Sequence, residues 1–183
     1  MKTGTKANKN GKGFENYITL PFSSKGFITV HYSDWHKNMN SYGKEVLICD
    51  YPYYDITKSK SRMEYFVLSD KYGLKCRIEC KWQSARGSVD EKLAKLYLDC
   101  IEPGNPDHTV IVVDGGGQRE RYVKWIKDAA RRKLYTSSFN SHKRVDVMGL
   151  VEFITWVNNL PEYVGESVFS SIVMQNHIFD IIG

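Results

Sequence analysis

Met63-Glu64-Tyr65-Phe66-Val67-Leu68, then Ser69-Asp70-Lys71-Tyr72-Gly73, then Leu74-Lys75-Cys76-Arg77-Ile78-Glu79-Cys80-Lys81-Trp82-Gln83 is the stretch on which the fold turns. Both flanking runs are rich in β-branched and aromatic residues, and Asp70 to Gly73 carries turn chemistry, so the stretch predicts a β-hairpin. The period of two sends Cys76, Ile78, Cys80 and Trp82 to one face of the second strand. Arg77, Glu79, Lys81 and Gln83 go to the other. Four polar side chains on one face fit two descriptions: a half-exposed antiparallel sheet, or a catalytic face.

Closing the hairpin with Asp70 opposite Gly73 sets Glu64 opposite Glu79, with Cβ atoms about 4.5–5.5 Å apart. A three-residue loop with a bulge at Gly73 shifts the pairing by one. Two carboxylates that close repel each other, and only Arg62 and Arg77 stand nearby in sequence. A hard divalent cation resolves the repulsion, because Mg²⁺ takes one or two carboxylates together with water and substrate phosphate. Lys81 beside such a pair can orient water or neutralise charge developing on a phosphate. Carboxylates, metal and lysine together are the requirements of metal-assisted phosphodiester hydrolysis.

Outward from the hairpin, the element order is mixed α/β. Phe14, Tyr17, Ile18 and Phe22 repeat at helical spacing, with Pro21 and Gly26 marking the end of that helix. Phe27 to Tyr32 and Glu45 to Cys49 read as strands. After the hairpin, Ser88 with Glu91 three residues on is a capping-box signature, opening a helix with Val89, Leu93, Leu96 and Cys100 on one face. His108 to Val113 reads as a buried strand. Asp114-Gly115-Gly116-Gly117 then turns the chain into a basic helix, Gln118 to Leu134. Val145 to Met148 adds a short strand, and Leu150 to Val157 a helix. A hairpin followed by helical crossovers predicts a mixed sheet flanked by helices. The expected division is a basic arm over 1–12, a domain over 13–160, and an apolar extension over 161–183 that packs on the domain or on a partner subunit.

The chain of 183 residues carries 26 Lys+Arg against 21 Asp+Glu, a formal charge of +5, which permits a nucleic-acid partner. The positive charge is clustered in Lys2, Lys6, Lys9 and Lys12 of the arm and in Arg119, Arg121, Lys124, Lys127, Arg131, Arg132 and Lys133 of the basic helix. Cys49, Cys76, Cys80 and Cys100 form no CxxC pair and read as reduced thiols of a cytoplasmic protein. No apolar run reaches a membrane span, and no P-loop or Ser/His/Asp arrangement is present. Tyr51, Tyr53 and Tyr54 beside Pro52 form an exposed-looking aromatic cluster suited to base stacking or to covering the core.

Arg62-Met63-Glu64, Arg77 to Gln83 (RIECKWQ), Gly87 to Leu93 (GSVDEKL) and Ile111 to Gly117 (IVVDGGG) resemble the PD-(D/E)xK nuclease superfamily, specifically its restriction-endonuclease-like members of bacteria and phages. The resemblance covers approximately residues 12 to 157. It implies an αβββαβ core, with Glu79 as a metal ligand and Lys81 as the catalytic lysine. Glu64 takes the first acidic position, where the superfamily usually has Asp; no Pro-Asp dipeptide occurs there, and the competing Asp70 lies at the hairpin tip. Glu15 on the first helix matches an acid that many members project toward the metal, and it is equally an ordinary solvated helix acid. Gln83 shares the face of Glu79 and Lys81 and can contact a phosphate or orient water. The implied protein is a Mg²⁺-dependent DNA endonuclease, with Mn²⁺ able to substitute, acting as a homodimer in the cytoplasm. Phosphate contacts come from Arg119, Arg121, Lys124, Arg131 and Arg132. The alternatives are a structure-specific nuclease such as a junction resolvase, and a non-catalytic DNA-binding protein on the same fold. A chain that keeps Glu64, Glu79 and Lys81 together argues against the last.

Overall fold

The structure, a computed structural model, describes residues 15–83 and 89–170. The basic arm, Ser88 of the capping box and the apolar segment from 171 onward lie outside the described residues, as does the side chain of Glu91. A first helix, α1, covers residues 15–24. Then follow β1 (Ile28–His31), a short helix α2 (Tyr32–Trp35), a 3-10 turn (Met39–Tyr42), β2 (Glu45–Tyr54), β3 (Lys60–Ser69) and β4 (Leu74–Trp82). The rest is α3 (Val89–Ile101), β5 (His108–Asp114), α4 (Glu120–Arg132), β6 (Arg144–Met148) and α5 (Leu150–Asn158).

The six strands form one sheet in sequence order. β2, β3 and β4 are an antiparallel meander; β1 joins β2, β5 joins β4, and β6 joins β5, all in parallel. This is the mixed α/β sheet expected, with the αβββαβ order inside it. One face packs on Ile18 and Phe22 of α1 and Phe153 and Val157 of α5. The other packs on Leu93, Leu96, Tyr97 and Cys100 of α3 and Ile126 and Ala129 of α4, with Trp35 and Phe169 over the β1–β3 end. Cys49, Cys76, Cys80 and Cys100 are all unpaired thiols.

The hairpin closes as the four-residue turn requires. Ser69 pairs with Leu74 and Tyr65 with Ile78, so there is no bulge shift. Gly73 adopts φ +60°, and its N–H donates to Asp70 O. A Cβ at Gly73 would lie 2.6 Å from the Tyr163 ring, so the turn needs glycine for space as well as for backbone conformation. Asp70 accepts from Phe169 N–H and the Ser167 hydroxyl and pairs with Lys44. It anchors residues 167–169 to the hairpin tip.

Two elements differ from the sequence reading. The first helix runs through Pro21, which is buried within it, and stops only before Gly26 at φ +89°. Packing of Ile18 and Phe22, both fully buried, outweighs the lost backbone hydrogen bond. β2 does not end at Cys49 but continues through Pro52 to Tyr54. Proline is tolerated because β1 pairs with β2 only as far as Cys49, so Pro52 lies on a free edge.

Candidate active site

β3 and β4 part company at one point. Their ladder ends at Tyr65↔Ile78, although β3 begins at Lys60 and β4 continues to Trp82 alongside β5. Glu64 is the first residue of β3 past the fork. Its Oε2 accepts the Cys80 N–H at 2.7 Å, so a side chain takes the place of a ladder acceptor. Its other oxygen, Oε1, meets Lys81 Nζ at 2.7 Å.

The bend has a cause in β2. Opposite Glu64 stands Asp50, in left-handed conformation at φ +56°, and the β2–β3 ladder skips this pair. Asp is among the few residues that tolerate this region. Side-chain alternation slips by one here: Val46 and Ile48 share a face before it, and Tyr51 and Tyr53 join that same face after it. The slip brings Tyr53 to the face of β4 that carries Arg77.

That face is interior. Arg77, Glu79 and Gln83 are 1%, 4% and 7% exposed, which excludes a half-solvated sheet. The Arg77 Nε and Nη2 atoms both reach Glu79 Oε1, at 2.9 and 2.8 Å. Nη2 also donates to the Tyr53 hydroxyl at 3.0 Å, and the guanidinium lies 4.3 Å from the Tyr53 ring centroid. Glu79 Oε2 faces Lys81 Nζ at 3.0 Å. Two cations, Arg77 and Lys81, thus balance two carboxylates, buried Glu79 and part-exposed Glu64, each charge with a partner.

Burial disfavours the Lys81 ammonium, but Glu79 and Glu64 outweigh it and hold its pKa well above the usual lysine value. Glu64 moves the other way from an ordinary ion-paired acid. Its partial burial and the Glu79 charge raise its pKa against the pull of Lys81. The Cys80 thiol is pushed well up by burial and by Glu64, which favours its neutral form.

Glu64, Glu79 and Lys81 therefore converge on one point. Gln83 does not join them. Its Nε2 donates to Gly117 O at 3.2 Å and its backbone C=O accepts from Gly117 N–H at 2.7 Å, while its buried Oε1 has no partner among the described residues. Glu15 stands exposed at the start of described α1, with its charge felt at Cys49 and Tyr65. Among the described residues it makes no hydrogen bond or ion pair to Glu64, Glu79 or Lys81. Gln118, which the sequence marks only as the start of a helix, donates from Nε2 to Lys81 O at 2.9 Å and to Asp114 O. It ties the ends of β4 and β5 together below the lysine. Asp114 in turn accepts from Leu150 N–H at the start of α5.

α4 begins two residues beyond Gln118, so its N-terminal end lies beside the site. Arg119, Arg121, Lys124, Arg131 and Arg132 are exposed, while Ile126 and Ala129 are buried against α3 and the sheet. Arg121 lies over the Tyr122 ring and bonds its hydroxyl. Lys124 pairs with Glu120, and Arg131 and Arg132 with Asp128, all within the helix.

The residues present fit a hard divalent cation. Among the described residues no cluster of three or more His, Cys, Asp or Glu forms. Two carboxylates already converge on a cationic nitrogen, and two carboxylates with water and phosphate are a sufficient donor set for Mg²⁺. A family model described as a PD-(D/E)XK nuclease superfamily domain matches residues 6–160, and the chain belongs to that superfamily, whose members are phosphodiester-hydrolysing nucleases that typically use divalent metal ions. Comparison with curated proteins gave no match, and neither did comparison with solved structures. Among the described residues no helix is long and apolar enough to cross a membrane.

Proposed function

We propose that the protein is a Mg²⁺-dependent DNA endonuclease of restriction-endonuclease type, with Mn²⁺ able to replace Mg²⁺. The observation that carries this reading is Lys81 Nζ held between Glu64 Oε1 and Glu79 Oε2, at 2.7 and 3.0 Å. Glu64 Oε1 and Glu79 Oε2 thus point at one position where a cation is favoured, and the Lys81 ammonium would be displaced toward the phosphate when a metal is taken up there. Glu64 and Glu79 hold the metal. Bound there, a divalent cation supplies polarisation of the scissile phosphate and a lowered pKa for attacking water.

The chain's own groups do the rest. Lys81, its ammonium protonated, places a positive charge against the phosphate oxygens as negative charge accumulates on them. Gln118 fixes the backbone carbonyl of Lys81, and Arg77 fixes Glu79, so both functional side chains start from oriented backbones and partners. Gln83 supports the glycine turn through its Nε2, which donates to Gly117 O. Glu15 stands as an outer acid near the entrance. The basic face of α4, through Arg119, Arg121, Lys124, Arg131 and Arg132, takes the DNA backbone, and its start beside Lys81 leads the duplex to the fork of β3 and β4. Cleavage of both strands of a duplex needs two such centres, which a two-fold homodimer supplies.

Purified protein incubated with supercoiled plasmid, branched DNA and single strands, each with Mg²⁺ or with EDTA, tests the proposal. Nicked or linear plasmid in Mg²⁺ and none in EDTA is the expected result. Cleavage of branched DNA alone favours a junction resolvase. Binding without cleavage of any DNA in Mg²⁺ or Mn²⁺ overturns the nuclease reading.

A further inference from the structure

Each carboxylate of the site has one oxygen already engaged by the protein. Glu79 Oε1 receives Arg77 Nε at 2.9 Å and Arg77 Nη2 at 2.8 Å, and Glu64 N–H approaches it at 3.4 Å. Glu64 Oε2 receives Cys80 N–H at 2.7 Å. The other two oxygens, Glu64 Oε1 and Glu79 Oε2, both face the single position held by Lys81 Nζ. A carboxylate that bridges two ions commonly offers one oxygen to each; Glu79 cannot, because Oε1 is filled by two Arg77 nitrogens, whereas Glu64 Oε2 keeps a lone pair beside the single Cys80 N–H. The guanidinium is fully buried and is held in place by the Tyr53 hydroxyl and ring.

We propose that Arg77, seated on Tyr53, restricts this centre to one divalent cation and is the residue that aims Glu79 at it. The proposal rests on the nuclease reading above and gives it a stoichiometry. Arg77 is a positioning residue, because it acts through Glu79 and not on DNA. Its charge contributes as well. With Arg77 and Lys81 already balancing Glu64 and Glu79, a first divalent ion brings the cluster to a net positive charge, and a second would enter against that charge.

The test uses Mn²⁺ alone, with the full-length chain free of DNA, followed by calorimetry and by electron paramagnetic resonance. Wild-type protein should bind one Mn²⁺ per chain, lost in Glu79→Gln, with no signature of coupled ions. Arg77→Met frees Glu79 Oε1 and should admit a second, spin-coupled Mn²⁺. Arg77→Lys keeps a donor on that oxygen and should hold the count at one. Should Arg77→Met not fold, Tyr53→Phe removes the seat alone and should weaken Mn²⁺ binding by about 10-fold, the scale of losing a partner that orients a ligand. Two ions in the wild type that are both lost in Glu79→Gln would overturn the assignment, as would one ion at wild-type affinity in Arg77→Met or unchanged affinity in Tyr53→Phe. A wild type that binds no Mn²⁺ and leaves plasmid intact would overturn the nuclease reading itself.

Discussion

The backbone N–H of Cys80 donates to Glu64 Oε2 at 2.7 Å, across the gap where β3 turns away from β4. One side chain therefore has two jobs. One oxygen replaces a missing ladder acceptor, and the other faces Lys81 Nζ. Substitutions separate the two. Glu64→Gln keeps an oxygen for Cys80 N–H and should leave the melting temperature nearly unchanged while lowering cleavage by about 10²-fold or more. Glu64→Ala also orphans the amide, at a cost of about 1–3 kcal/mol, and should lower the melting temperature as well. Thermal melts beside plasmid cleavage check both.

The basic face of α4 yields a prediction about salt. Reversing charge at Arg121 and Lys124 should weaken binding to all DNA sequences alike. The slope of log affinity against log salt should flatten by about 0.9 for each phosphate that is no longer neutralised. Affinity of the double variant at a series of salt concentrations measures this. An unchanged slope would move the DNA surface off α4.

Asp70 links the hairpin tip to residues 167–169, and the link depends on pH. Burial works against its charge, but Phe169 N–H, Ser167 and Lys44 outweigh burial and hold the carboxyl below its usual value. A carboxyl lowered in the folded state contributes stability that is fully present above its unfolded value, about 3.9, and is lost as pH falls through the folded one. Wild-type protein should lose stability over that acid window, and Asp70→Asn should start less stable at neutral pH and lose less. Denaturant midpoints from pH 7 down to pH 3 for both proteins check the sign.

The turn into α4 is tight for a reason that concerns the site. Gly115 has φ +102°, and a Cβ there would sit 2.6 Å from Gln83 O. Gly115→Ala should cost about 1–3 kcal/mol, the scale of a backbone held in a sparsely populated region. It should also disturb Gln83 and Gln118, which brace the end of β4. A melting shift together with reduced cleavage is expected, and a neutral substitution would show that the turn can open without effect.

Much of this arrangement was legible because it is local. Asp70 to Gly73 sets the hairpin register, which holds as far as Tyr65 and Ile78 and stops one pair short of the expected Glu64 opposite Glu79. Alternation along β4 collects Arg77, Glu79 and Lys81 on one side. The helix α4 announces its buried edge through Ile126 and Ala129. What was not legible depends on contacts distant in sequence or on backbone geometry with no composition signal. Nothing in Cys49-Asp50-Tyr51 marks a left-handed aspartate, yet that residue bends β2, slips the alternation and delivers Tyr53 to Arg77, 24 residues away. Pro21 and Pro52 look like stops, and each is overruled by its setting: buried neighbours for one, a free sheet edge for the other. Gln118 carries no sign that its amide will reach the carbonyl of Lys81.

The central claim is that Lys81 acts on the reaction and not on binding. Single-turnover cleavage of plasmid in Mg²⁺, set beside DNA affinity measured in Ca²⁺, tests it with Lys81→Ala and Lys81→Arg. The account predicts wild-type affinity and cleavage slower by about 10²-fold or more for Lys81→Ala. Lys81→Arg should give no rescue, because a planar guanidinium does not replace a compact ammonium between two carboxylates. Wild-type cleavage rates from Lys81→Ala would contradict the account.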